Sequence, residues 1–263
     1  MDKNFEYLTK SFVVPSGCTY TIREENGEDE EIISNPVDAK GLMNLTKFIA
    51  AIVVDQDFLT HNGHMSIEEV LDIPLLDRYA ILFQSRIFSL GNLVPFNYLW
   101  FGDSSPIYYE QDITEMLYDD YSKEIPEEEV KAKPDAIPVY PDQDLLRSIN
   151  FKDYELNLTS GKKVKFDLLN GRIEKYIISL PEDKQTRNSE LIARNLCLEV
   201  NGVWEKVSHF RLFSVRDMSE IRECIRKIDP LFTGTTEIAH PTKGITDRYA
   251  IMTAPRFFFL TEA

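Results

Sequence analysis

The chain has 263 residues, 43% hydrophobic and 11% aromatic, the composition of an ordinary globular protein with room for one large domain or two lobes. Lys and Arg number 29 and Asp and Glu 44, a net charge of −15 that argues against a broad nucleic-acid surface or an anionic membrane surface and favours a basic protein partner. Cys18, Cys197 and Cys224 are dispersed and form no CxxC pair, which fits a reducing compartment. No signal peptide is expected at the N-terminus, and the longest apolar run, 48–54, is too short to span a bilayer.

In chain order, Phe12, Val13 and Val14 run into Pro15, Ser16 and Gly17, and Thr19 to Ile22 is β-rich, so 12–22 reads as strands around a polar turn, with another strand at 31–33. Residues 24–31 hold six acids around Asn26-Gly27 and predict a solvated hairpin tip. A helix is expected over 38–55, capped by Asp38, with Leu42, Leu45, Phe48, Ile49, Ile52 and Val53 as its buried stripe. His61 and His64 form an HxxH pair in a loop, with no third ligand near to complete a tetrahedral set. Ser66 and Glu69 form a capping box for a short helix. A longer helix runs from Pro74 to Leu90 and ends at Gly91.

Residues 93–109 are aromatic and β-like, with Phe96, Tyr98, Trp100, Phe101, Tyr108 and Tyr109 around a turn at 102–106. Aromatics at this density suit a recognition surface or a hairpin core equally well. Residues 112–118 suggest a short helix. Residues 119–144 carry nine acids, three lysines and four of the thirteen prolines. That composition predicts a linker or arm without regular structure, ordered by a partner, with Tyr140 as a candidate contact.

Beyond it, from near Phe151, strands at 154–158 and 162–168 flank Thr159, Ser160 and Gly161. Helices are expected at 173–180, stopped by Pro181, and at 188–198. An Asn201-Gly202 turn leads to a strand at Val203 and Trp204. Over 208–230, Phe213, Val215, Met218, Ile221, Ile225 and Ile228 recur at helical spacing, with Ser214 as cap, Asp217 in the first turn and Pro230 as stop. Strands at 235–238 and 248–252 join through His240, Pro241, Thr242, Lys243 and Gly244. Arg256, Phe257, Phe258, Phe259 and Leu260 close the chain, and such bulk is expected to dock on this chain's own core or on another subunit.

The two halves echo each other. Placing Asp77 on Asp217 aligns Leu75 with Val215, Ile81 with Ile221, Arg86 with Arg226 and Phe88 with Ile228. Phe48-Ile49-Ala50 matches Leu191-Ile192-Ala193, and Ser16-Gly17 matches Ser160-Gly161. The offset drifts from 144 to 143 to 140, as short loop changes produce. The expected fold is therefore α+β: two similar lobes, 1–118 and 151–263, each a β-hairpin with two or three helices and short return strands, joined by the acidic arm at 119–150.

No GxGxxG, P-loop, HExxH or GxSxG motif is present, and His61, His64, His209 and His240 are scattered. No catalytic residue, cofactor or metal is expected; a metal-dependent enzyme built on His61 and His64 is the alternative from another class. Trp100, Phe101, Tyr108, Tyr109, Tyr140, Arg256, Phe257, Phe258 and Phe259 are the candidate interaction residues.

The order of parts resembles the base plate protein family of T-even-type contractile phages, its hub and tail-assembly proteins. The matching features are Pro15-Ser16-Gly17, the helix with Asp77, Arg86 and Gly91, the hairpin from Ser160 to Phe166, the turn at His240 to Gly244 and the closing Phe257, Phe258 and Phe259. The resemblance implies a non-enzymatic virion protein of the tail base plate, made in the host cytoplasm. Its partners would be hub, tube or wedge proteins, in several copies of a symmetric assembly, with no nucleic acid or membrane. An assembly chaperone that leaves the particle is the alternative within the same family. Some relatives carry Cys-x-x-Cys pairs where 100–106 and 238–244 hold no cysteine, so no zinc role carries over.

Overall fold

Alternating burial builds the first sheet. β1 (Thr9–Val13) and β2 (Thr19–Arg23) pair antiparallel, and β3 (Val53–Gln56) adds to β2, with Tyr20, Ile22 and Val53 turned into the core. The computed structural model describes residues 7–148, 152–184, 186 and 188–259, so the expected Leu260 contact and the junction at Phe151 lie outside the described residues. The fold is α+β, with helices set against small antiparallel sheets.

Between β2 and β3 lie α1 (Gly27–Ser34), α2 (Pro36–Ala39) and α3 (Met43–Ile52). Here three expectations are corrected. Asn26-Gly27 is a helix start rather than a hairpin tip, and 31–33 is helical. Asn26 Oδ1 accepts from Glu28 N–H at 2.8 Å, and Asp29 returns to Asn26 N–H at 2.8 Å while holding both Arg23 nitrogens. The single helix expected over 38–55 is interrupted at Leu42, whose φ of 54° lies in the left-handed region, and its last residues extend into β3. α4 (Ile67–Asp72) starts at the Ser66–Glu69 capping box, and α5 (Leu75–Leu90) stops at Gly91, φ 85°.

β4 (Leu93–Tyr98) and β5 (Ile107–Asp112) form a separate hairpin. The segment at 119–144 is corrected too: it contains α6 (Glu127–Ala132), leads into α7 (Gln143–Ser148) and is ordered on this chain's own core. Tyr121, Ile137 and Tyr140 are buried, Tyr140 N–H donates to Pro15 O at 3.4 Å, and Gln143 Nε2 reaches Pro15 O at 3.0 Å. Acids and prolines set its average polarity, but three apolar anchors suffice to seat it.

The second sheet runs β6 (Tyr154–Asn157), β7 (Lys163–Phe166), β8 (Cys197–Val200) and β9 (Val203–Lys206). α8 (Gly171–Ser179) and α9 (Ser189–Ala193) connect β7 to β8, and α10 (Val215–Ile228) follows β9. The hairpin of β10 (Thr235–Ala239) and β11 (Thr246–Ala250) and the short α11 (Pro255–Phe258) complete the described chain. The larger hydrophobic core takes residues from both sides of position 151, including Leu168, Ile238, Ile251 and Phe257 beside Phe48, Ile81 and Phe83. A second core gathers Leu158, Val164, Phe166, Leu191, Leu198, Ile221 and Ile225.

Local geometry recurs 144 residues apart. Val14 N–H donates to Cys18 O at 3.0 Å and Gly17 N–H to Val14 O at 2.7 Å; Leu158 donates to Lys162 O at 2.8 Å and Gly161 to Leu158 O at 2.8 Å. Gly17 and Gly161 hold φ of 79° and 85°, which a side chain would strain. Asn170 caps α8 as Asn26 caps α1, and β8 joins β7 as β3 joins β2. Asp77 of α5 accepts from Ser16 N–H at 3.0 Å; Asp217 of α10 receives the Ser160 hydroxyl and Lys162 Nζ, the latter at 2.6 Å.

The N-terminus of α8 meets α4 and α5 closely. Arg78, buried, donates to Val70 O at 2.9 Å and Thr46 Oγ1 at 3.0 Å, and a Cβ on Gly171 would stand 2.7 Å from its guanidinium. Leu75 N–H donates to Leu169 O at 2.9 Å, and Arg172 pairs with Glu68 at 2.6 Å and Asp72 at 2.7 Å. Arg194 and Asp229, both buried, pair at 2.5 Å, and Asp229 also accepts from Leu169 N–H.

Two predictions follow from these contacts. Gly171→Ala is expected to lower unfolding stability by about 1–3 kcal/mol in chemical denaturation, because Arg78 is anchored and cannot yield; an unchanged midpoint would contradict the close approach. The two aspartates are expected to act oppositely with pH. Burial pushes Asp77 up to about 7 against the opposing pull of Ser16, while its unfolded value is about 3.9. The folded state keeps a proton that the unfolded chain releases, so stability falls as pH rises from about 4 to about 7, by at most about 4 kcal/mol. Lys162, then Ser160, hold Asp217 well below the usual carboxylate range, so its contribution is present above about pH 4 and lost below it. Denaturation across pH should show Asp77→Asn flattening the first limb and Asp217→Asn the second.

Candidate interaction surface

The β4–β5 and β10–β11 hairpins face each other through aromatic rings. Phe96 stacks on Tyr249 with centroids 4.1 Å apart and planes at 1°, and on Tyr109 with centroids 5.7 Å apart. Tyr98 stands edge-on to Trp100 at 5.1 Å and to Tyr249 at 6.0 Å. Polar atoms tie the same surfaces. Trp100 Nε1 donates to Tyr109 Oη at 2.8 Å, Tyr109 donates to Ala239 O at 3.1 Å, and Thr236 donates to Gln111 Oε1 at 2.6 Å.

At the ends of the hairpins, His240 is buried against the Trp100 ring, with centroids 5.3 Å apart. Its Nδ1 accepts from the N–H groups of Thr242 and Lys243, each at 3.1 Å, so Nε2 carries the proton and donates to Asp103 at 2.9 Å. Lys243 also pairs with Asp103. Lys243 first and His240 second hold the Asp103 carboxyl below its usual value. Tyr98 donates to Asp247, which lowers that carboxyl and raises the phenol. With Nδ1 held by its own turn and Nε2 by Asp103, His240 braces the two hairpins against each other.

This bracing leaves one end of β4–β5 presented to solvent. Phe101 is fully exposed, and Leu99 and Tyr108 are each 59% exposed. Leu99, Trp100 and Phe101 alternate out, in, out. Leu99 was missing from the expected set, although this period-two alternation carries its signal.

The other candidates divide. Trp100, Tyr140 and Phe257 are corrected from contact residues to core residues: they are buried in the larger cluster, and Phe257 packs on Phe83 at 5.2 Å. Tyr109, Arg256, Phe258 and Phe259 are half-buried; Phe258 meets Phe48 edge-on at 6.3 Å, so the closing aromatics dock on this chain's own core. Phe101 and Tyr108 alone among the nine are exposed. The structure brings together Trp100, Phe101, Tyr108 and Tyr109 on one hairpin and leaves Tyr140 on the arm.

The HxxH pair does not converge. His61 Nε2 meets Glu69 at 2.8 Å, whereas His64 Nδ1 donates to Val53 O at 3.0 Å. Among the described residues, no group of three or more His, Cys, Asp or Glu side chains is placed to hold a metal ion, and no helix is long and apolar enough to cross a membrane. Comparison with protein-family models, with curated proteins and with solved structures finds no match.

Substitution separates the exposed residue from its buried neighbour. Phe101→Ser is expected to leave thermal stability unchanged, while Trp100→Ala lowers it by about 3–5 kcal/mol by opening the hairpin junction. Equal effects of the two in denaturant melts would contradict this placement.

Proposed function

We propose that the chain is a non-enzymatic structural component of a contractile phage tail base plate, binding neighbouring tail proteins through the end of the β4–β5 hairpin. The observation that supports this reading best is the exposed group Leu99, Phe101 and Tyr108, standing on a hairpin that stacked rings and the Asp103–His240–Lys243 cluster keep rigid. A rigid, preformed apolar patch costs little ordering entropy on binding, which suits a permanent contact. The recurring turns, caps and buried aspartates support reading the chain as two copies of one module, a plan suited to repeated neighbours. The base plate setting itself rests on the sequence resemblance. The charge of −15 favours a second reading, an assembly factor that shields a basic client and then leaves.

Peptide mass spectrometry on gradient-purified tailed particles, calibrated against the tube protein, separates these readings. The structural reading predicts stoichiometric recovery, with Phe101→Asp blocking incorporation while the isolated protein stays folded. Presence in the infected lysate but absence from finished particles would favour the assembly factor, and incorporation of Phe101→Asp at the normal level would remove the hairpin end as the contact.

A further inference from the structure

A cavity of about 360 Å³ opens between the start of α3, α5, α8 and the segment leading out of β11. Ala39, Leu42, Leu45, Met252 and Phe258 supply apolar walls, and Asn44, Tyr79 and Glu174 supply polar groups. Two of these polar groups are acceptors without adequate donors. Asn44 is more than nine-tenths buried; its Nδ2 donates to Ile33 O at 2.8 Å, which fixes the amide orientation and leaves Oδ1 without a hydrogen-bond partner among the described residues. Among the described residues Glu174, whose side chain is 15% exposed, receives only the Tyr79 hydroxyl at 3.4 Å and stands 4.0 Å from Arg78, whose guanidinium is already bonded to Val70 O and Thr46. Burial raises the Glu174 carboxyl above its usual value, as expected of an acid short of partners.

An acceptor buried without a donor is unfavourable, and a buried carboxylate more so. A ligand that brings several N–H donors and a positive charge relieves both, while an apolar stem fills the remaining space. We propose that this cavity binds an ammonium or guanidinium group carried on an apolar stem, with the head at Glu174 and Asn44 Oδ1 and the stem against Leu42, Leu45 and Phe258. The volume is at the small end of ligand sites and suits a stem of roughly four to six carbons. The excess negative charge of the chain draws cations toward it. A free amine and the lysine side chain of a partner share this chemistry.

Calorimetric titration of the full chain with n-hexylamine and n-hexanol tests the proposal. The amine should bind at least about tenfold more tightly than the alcohol, and Glu174→Gln should remove about that factor. Ala39→Trp, at the exposed rim of the cavity, should narrow its mouth and weaken binding of both, so that a folding defect in one variant leaves the other as a test. Equal affinity for amine and alcohol, amine binding unchanged in both variants, or no heat at about 10 mM amine would overturn the assignment. A parallel titration with Nα-acetyl-lysine amide identifies the source: binding alongside hexylamine supports a partner's lysine, and hexylamine binding alone supports a free amine.

Discussion

Asp77 is fully buried in the first turn of α5, and its Oδ1 accepts the backbone N–H of Ser16 at 3.0 Å, while Oδ2 has no hydrogen-bond partner among the described residues. This one contact holds the turn of the first hairpin against the longest helix. The same turn then receives the arm, because Pro15 O accepts from both Tyr140 N–H and Gln143 Nε2. Tyr20, Tyr121 and Tyr140 are buried close enough for the Asp77 charge to push each phenol upward, after the larger effect of burial itself. A carboxyl so placed is expensive to ionise, and the surrounding packing must over-determine its position. The larger core depends on that position, since sheet, helix and arm all meet there.

Asp217 occupies the corresponding place on α10 in different surroundings. Lys162, whose side chain is one-third exposed, reaches it at 2.6 Å, Ser160 adds a hydroxyl, and the backbone N–H of Ser214 completes a capping box. One architectural contact, a helix aspartate on a hairpin turn, thus occurs in a dry form and in a charge-paired form. Between them α8 is the joint: Gly171 lets Arg78 lie against it, and Asp229 links Arg194 to the backbone of Leu169. The β4–β5 and β10–β11 hairpins, more than 120 residues apart in sequence, close over the larger core and carry the exposed hairpin end.

Much of this was legible in the amino-acid order. Ser214, Asp217 and the apolar spacing specify α10 almost to the residue, and Ser66 with Glu69 marks the start of α4. Ser16-Gly17 and Ser160-Gly161 mark two hairpin turns whose hydrogen bonds coincide. Asn26-Gly27 was ambiguous because the pair suits both a hairpin turn and a helix cap; Asp29, three residues after Asn26 and held by Arg23, decides for the cap, and that capping-box spacing was present in the local sequence. The arm misleads through its average composition, since Tyr121, Ile137 and Tyr140 act individually. At the hairpin end, aromatic density could not separate Trp100 from Phe101. The ring of His240, from the far end of the chain, covers one and leaves the other in solvent. The cavity beside Glu174 had no local signature, as its polar groups come from three helices.

The most direct test of this account is the titration of the Asp77 carboxyl carbon, followed by nuclear magnetic resonance and assigned by its loss in Asp77→Asn. If the contact with Ser16 is as dry as described, the carboxyl titrates with a midpoint at about 7, far above that of Asp217. A midpoint at about 4, the value of a carboxyl in water, would contradict the buried tie between the first hairpin and α5 on which the rest of the core is built.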